Sequence, residues 1–188
     1  VLNHQISCYC MAPSKDESLC IPLVGEGGKH YWQVEEEVQI WYKTAKILSN
    51  PNIMKINQNN IFDMYMYLAT LGIRTRGPIG DPMIAHHIMF PDFPKGLDFL
   101  CSVLTEEPYY KDDGKLWSKP WRDLDLFWRY NARDGACAFE CWNMCEDLMD
   151  DSYRQTYEET VGIFDFLLFM QLRGFNTDRD KLKETKQR

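Results

Sequence analysis

A chain of 188 residues, 45% hydrophobic and 26% charged, is long enough for one full domain with a sizeable core. Its formal net charge of -7 excludes a broad basic surface for nucleic acid, though not a site where carboxylates hold cations that in turn hold a backbone. Seven cysteines, an odd count, and no secretory apolar segment read as free thiols in a reducing, cytoplasmic compartment, and no apolar run approaches the ~18 residues of a membrane span.

Ile6–Ala12 and Ser18–Val24 read as two strands, joined by the turn segment Pro13–Glu17 into a hairpin. After a loop at Gly25–His30, Trp32–Leu48 reads as a helix, with Val34, Val38, Trp41, Ala45 and Leu48 recurring at spacings of three and four. A short strand at Asn52–Asn57 leads into a helix at Ile61–Leu71, stopped by Gly72. Arg74–Pro82 reads as a Gly/Pro-rich loop, with Asp81 as N-cap and Pro82 as first residue of a helix running to about Phe90. A short helix at Lys95–Thr105 precedes a polar, aromatic and mobile stretch, Glu106–Pro120. Leu124–Met149 is the longest helical stretch, and Tyr153–Leu172 is a further helix closed by Gly174. Strands first, then helices around a lone strand, predict an α/β domain followed by a helical extension.

Two carboxylates stand out against apolar helices. Phe127, Tyr130, Asp134, Cys137, Cys141, Met144 and Leu148 form one stripe in which Asp134 alone is charged, and Tyr130, four residues earlier, shares its face. A buried carboxylate is costly unless it has a cation, hydrogen bonds or exposure in a cleft, and the adjacent Arg133 points elsewhere. A solvent-facing Asp134 is an equal alternative. The segment "IFDMYMYLATL" likewise carries one charge, Asp63, with Asn59 four residues before it at the strand-to-helix junction. There Asn59 caps the helix or holds a polar ligand, and Asp63 is either a site residue or an early-turn carboxylate favoured by the helix dipole. Two such carboxylates together point to a shared cation site. Cys137, Cys141 and Cys145 span two turns of one helix and converge poorly on one ion, so they read as core thiols. His86 and His87 point about 100° apart and read as one packing and one surface residue.

These stretches carry a resemblance. "KINQNNIFDMYMYL" and "RYNARDGACAFEC" resemble the second and third motifs of the 3′–5′ exonuclease domain of family A DNA polymerases, in a phage-like version within the ribonuclease-H-like DEDD group. "GDPMIAHHIMFPDFPKGLDFLCSVLTEEPYYKDDGK" is similar to the region connecting those motifs, and "YEETVGIFDFLLFMQLRGFNTDRDKL" to the helix leading into a polymerase thumb. The resemblance implies a ribonuclease-H-like mixed sheet flanked by helices, with residues 1–150 as the exonuclease domain and 151–188 as a helical connection into the thumb. The family's first motif, an Asp-x-Glu on the first and central strand, does not occur before "ISCYCMA"; "KDES" in the hairpin turn and "VEEEV" in a helix are poor substitutes. With the sequence starting at Val1 almost inside a strand, that central strand is expected to lie upstream of the chain as given. Gly135, directly after Asp134, is expected to loosen its turn.

The resemblance further implies metal-dependent hydrolysis of 3′-terminal phosphodiesters of single-stranded DNA, releasing 5′-mononucleotides during proofreading. Asp63 and Asp134 would ligate two Mg²⁺ ions, with Mn²⁺ as substitute, and Tyr130 would orient the attacking water. Asn59 would contact the terminal nucleotide or orient Asp63. Asp81 would support the site, or merely cap its own helix. Tyr109, Tyr110, Lys111, Lys115 and Trp117 would contact single-stranded DNA, or form a loop packed on its own aromatics. Implied partners are a single-stranded 3′ end and, through a downstream polymerase domain, primer–template DNA; the chain would be a monomer in the cytoplasm, that of the host if of phage origin, without a membrane. The alternatives are a catalytically inactive exonuclease-like domain of structural or DNA-guiding role, and an RNA-processing DEDD exonuclease.

Overall fold

The computed structural model describes residues 5–112 and 123–186. The predicted hairpin is present as β1 (Cys8–Met11) and β2 (Leu19–Pro22), antiparallel, with Tyr9 opposite Ile21 and Cys10 opposite Cys20. Strand alternation gives the hairpin two different faces. Tyr9 turns to helix α1 (Val34–Leu48), where its ring stacks on Trp41 at 5.1 Å and its hydroxyl is hydrogen-bonded to Thr44 Oγ1 at 2.6 Å. On the other side Cys10 meets Gly135, and the Ser18 hydroxyl donates to the Ala132 carbonyl at 2.6 Å.

A second sheet pairs β3 (Lys55–Ile56) in parallel with β4 (Ile79–Gly80), with helix α2 (Asn60–Leu71) between them in sequence. Gly72 in the left-handed region at φ 68 ends α2, as its lack of a Cβ allows. β4 lies in the stretch read from sequence as a loop. Two residues show no alternation, and their partner is 24 positions away, so local pattern could not reveal the strand. The α/β architecture flanked by helices that the resemblance implies is present, but among the described residues the strands form two separate two-stranded sheets, one antiparallel and one parallel, rather than one mixed sheet.

Helices α3 (Pro82–Met89), α4 (Leu97–Leu104) and α5 (Leu124–Leu148) follow their predicted positions closely. α5 is the common support: it packs on both strands of the hairpin, on β3, and on α3 and α4. Cys137 and Cys141 sit with Leu100, Cys101 and Tyr110, while Cys145 sits with Ala85, Met89, Trp142 and Tyr157. All three cysteines are buried, as their spacing predicted. The helix runs unbroken through Gly135, so the expected loosening is absent. Glycine is needed there for close approach, since a Cβ would stand 2.6 Å from Cys10 Sγ.

The single helix expected at Tyr153–Leu172 is two. α6 (Asp151–Gly162) ends and α7 (Phe164–Arg173) begins at Ile163, which lets α6 bury Tyr157 and α7 bury Phe164 and Leu168 in separate directions. α8 (Arg179–Lys186) buries nothing. Among the described residues no helix is long and apolar enough to cross a membrane.

Candidate functional site

Asp81 organises the region around α2. It is fully buried and accepts backbone hydrogens from Met83 and Ile84 of α3, at 3.1 and 3.4 Å, as its place at the N-cap predicted. It also accepts from the backbones of Asn59 and Asn60 at the start of α2, at 3.1 and 2.8 Å. One carboxylate thus satisfies donors at two helix N-termini. Its own backbone N–H donates to the Tyr157 hydroxyl at 2.8 Å, and that hydroxyl donates to the Ile79 carbonyl at 2.9 Å. Burial raises its pKa, against the four backbone donors that favour the ionised form.

Asn59 is the N-cap of α2 in the left-handed conformation, φ 58, one that asparagine tolerates better than most residues. Its side chain makes no capping hydrogen bond and is exposed, so the cap function read from its type belongs to Asp81 instead. Asp63 follows in the first turn of α2. Burial pushes its pKa up to about 7; its own backbone N–H acts in the opposite direction and the charge of Asp81 adds to the rise.

Asp134 and Tyr130 share one face of α5, and the segment before residue 113 closes over them. The Tyr110 hydroxyl donates to Asp134 Oδ1 at 2.6 Å, and the Lys111 ammonium donates to the same oxygen. The Lys111 nitrogen also lies 4.7 and 5.0 Å from the ring centres of Tyr110 and Tyr130. Burial pulls the lysine pKa down, but the hydrogen bond and charge of Asp134 outweigh it and hold the group above its ordinary value. Burial, with the Asp134 charge, also raises the Tyr130 phenol. Arg133 pairs with Glu107 at 2.9 Å rather than with Asp134, and its guanidinium carbon lies 5.0 Å from the ring centre of Tyr110, which anchors the incoming segment. Tyr110, read from sequence as a stacking surface for DNA, is turned inward and only 4% exposed, and Lys111 is occupied by a carboxylate rather than offered to phosphate. Tyr109 is 67% exposed. Lys115 and Trp117 lie outside the described residues.

Cys10 lies between the hairpin and α5. Its thiol is pushed up to about 12 by burial, by Cys20, and by the charges of Asp134 and Asp63. Sequence reasoning singled out Asp63, Asp134 and Tyr130 but not Cys10, which looked like any small apolar residue of a strand, nor the engagement of Asp134 by Tyr110 and Lys111. His86 is buried among Phe90 and Phe99, the packing role foreseen for one of the two histidines.

Asp63 and Asp134 are hard oxygen donors of the kind Mg²⁺ takes. Among the described residues, however, no group of three or more His, Cys, Asp or Glu is placed to hold a metal ion, and the cation on Asp134 is Lys111. The donors are right in kind and the set is incomplete, so no divalent site is assigned.

No curated protein matches the chain. A family model described as 3′–5′ exonuclease, that of family A DNA polymerases, matches residues 6–135, a span holding both strands of the hairpin, Asp63, Asp81, Tyr130 and Asp134. With more than half its length so matched, the chain belongs to the 3′–5′ exonuclease family of family A DNA polymerases.

Proposed function

We propose that the residues of this chain form an exonuclease-fold module that guides a single-stranded DNA end without a completed metal centre of its own. The observation that carries this reading is the state of Asp134: its Oδ1 is taken by Tyr110 and Lys111, and no third ligand joins it among the described residues. The exposed Tyr109 and Asn59 supply an aromatic face and an amide for a strand end. Asp81 serves by holding α2 in place, and residues 151–188 serve as the link toward a polymerase thumb.

A second reading, proofreading hydrolysis with Mg²⁺ or Mn²⁺, is supported by the family match over residues 6–135, a span that holds both Asp63 and Asp134. In it they hold metal and Tyr130 orients water. The test is a 3′-labelled single-stranded oligonucleotide, followed for binding by fluorescence anisotropy and for digestion with each metal. Binding without digestion supports the guiding module. Digestion from the 3′ end that is lost in both Asp63→Ala and Asp134→Ala establishes the second reading. Neither binding nor digestion of DNA, with digestion of RNA, would move the chain to the RNA-processing branch of the group.

A further inference from the structure

Three of the seven cysteines lie on the β1–β2 hairpin, and the register sets how their thiols meet. The Leu23 backbone N–H donates to the Ser7 carbonyl at 2.9 Å, which makes Ser7 and Leu23 a hydrogen-bonded pair. Such pairs alternate along an antiparallel ladder, so Tyr9–Ile21 and Met11–Leu19 are also hydrogen-bonded, while Cys8–Pro22 and Cys10–Cys20 are not. Pro22, which has no N–H, confirms the phase. Directly opposed residues of a non-hydrogen-bonded pair have Cα atoms about 4.5 Å apart with their side chains on one face. That falls within the range of about 4.4–6.8 Å that a disulfide spans. The diagonal pair Cys8–Cys20 has Cα atoms roughly 7–8 Å apart, beyond it, although the Cys8 thiol comes near enough to Cys20 to shift its titration.

From this register we infer that Cys10 and Cys20 form a thiol–disulfide exchange site for low-molecular-weight disulfides. Cys20 is partly exposed while the Cys10 sulfur lies against Gly135, so Cys20 is the entering sulfur, and the nearby Cys8 thiol lowers its pKa. The Cys20 thiolate attacks one sulfur of glutathione disulfide; the S–S bond breaks, a protein–glutathione bond forms, and the leaving glutathione thiolate takes the Cys20 proton. Cys10 then attacks the Cys20 sulfur as its proton passes to the second glutathione thiolate that it expels, a slow step because burial holds the Cys10 thiol high. Two protein thiols are oxidised to one disulfide, and one glutathione disulfide is reduced to two glutathione molecules. The bond draws the Cys10 sulfur toward Cys20 and away from Gly135, against which it now lies, so oxidation changes the packing directly behind Asp134.

The full chain is incubated with glutathione disulfide, remaining thiols are alkylated, and intact mass and proteolytic peptides are read without reduction. The expected result is the loss of two hydrogens, reversed by dithiothreitol, with Cys10 joined to Cys20 by fragment ions that separate Cys10 from Cys8. The bond persists in Cys8→Ser and is lost in Cys10→Ser. Fragment mapping of the unsubstituted chain gives the same answer should a variant fail to fold. A Cys8–Cys20 bond, a bond confined to the buried pair Cys101 and Cys137, or a stable glutathione adduct that never resolves would each overturn the assignment.

Discussion

Tyr110 donates its hydroxyl hydrogen to Asp134 Oδ1 at 2.6 Å from a position only 4% exposed. The two residues come from a connecting segment and a long helix, and their bond holds the loop against a carboxylate of α5 whose side chain stays 29% exposed. Lys111, next in sequence, puts its charge on the same oxygen, so the carboxylate is held by a neutral donor and a cation at once.

Tyr110→Phe should lower stability by about 1–2 kcal/mol, since it removes a hydrogen bond to a charged acceptor while Lys111 keeps the carboxylate paired. Urea unfolding would read this as a lower midpoint at constant slope. An unchanged midpoint would show that the hydroxyl–carboxylate contact is not formed in solution.

Asp81→Ala should cost far more, about 3–5 kcal/mol, because four backbone donors at two helix starts, that of Asn60 buried and the others partly so, lose one buried acceptor together. Asp81→Asn, which keeps one acceptor oxygen, should fall between. Thermal unfolding of the three proteins gives the order directly; equal and mild losses would refute the double cap.

The pH dependence follows from Asp63, whose folded pKa of about 7 stands above the unfolded carboxylate value near ~4. Between those values the folded state binds more protons than the unfolded one, so stability should fall as pH rises from about 4 to about 7. Asp81, also raised, acts with the same sign. Denaturant midpoints across this window should decline with pH, and Asp63→Asn should flatten part of the decline. An identical slope in the variant would remove Asp63 as its source.

Gly135→Ala should destabilise the protein by about 1–3 kcal/mol, as an overpacked site does, because the new methyl meets Cys10 Sγ at 2.6 Å. In a Cys10→Ala background the clash is gone and alanine's better helix propensity, worth about 1 kcal/mol, should show instead. A double-mutant cycle measures this change of sign. Additive effects would place the hairpin further from α5 than the structure has it.

Where chemistry was local, the sequence was informative. The hairpin, α1 to α5 and the stop at Gly72 each carry their own periodicity or cap, and each formed within a few residues of expectation. Asp63 and Asp134 could be picked out because one charge on an apolar helix is conspicuous. What escaped depended on distant chain: β4 needs β3, the break at Ile163 needs two separate cores, and the second half of Asp81's role needs Asn59 and Asn60 at its side. Tyr110 and Lys111 looked like a nucleic-acid surface for the same reason. Nothing in "PYYKDD" announces that a carboxylate 23 residues later will claim its lysine.

The dependence of both small sheets on α5 also sets an order of events during synthesis. β1 to β4 are complete by residue 80, yet the helix that braces the hairpin and touches β3 is not finished until residue 148. A chain emerging from the ribosome therefore passes through a long interval in which the hairpin has α1 against its Tyr9 face alone and its other face stands uncovered. Slow translation between α4 and α5 lengthens that exposure, while fast delivery of α5 ends it.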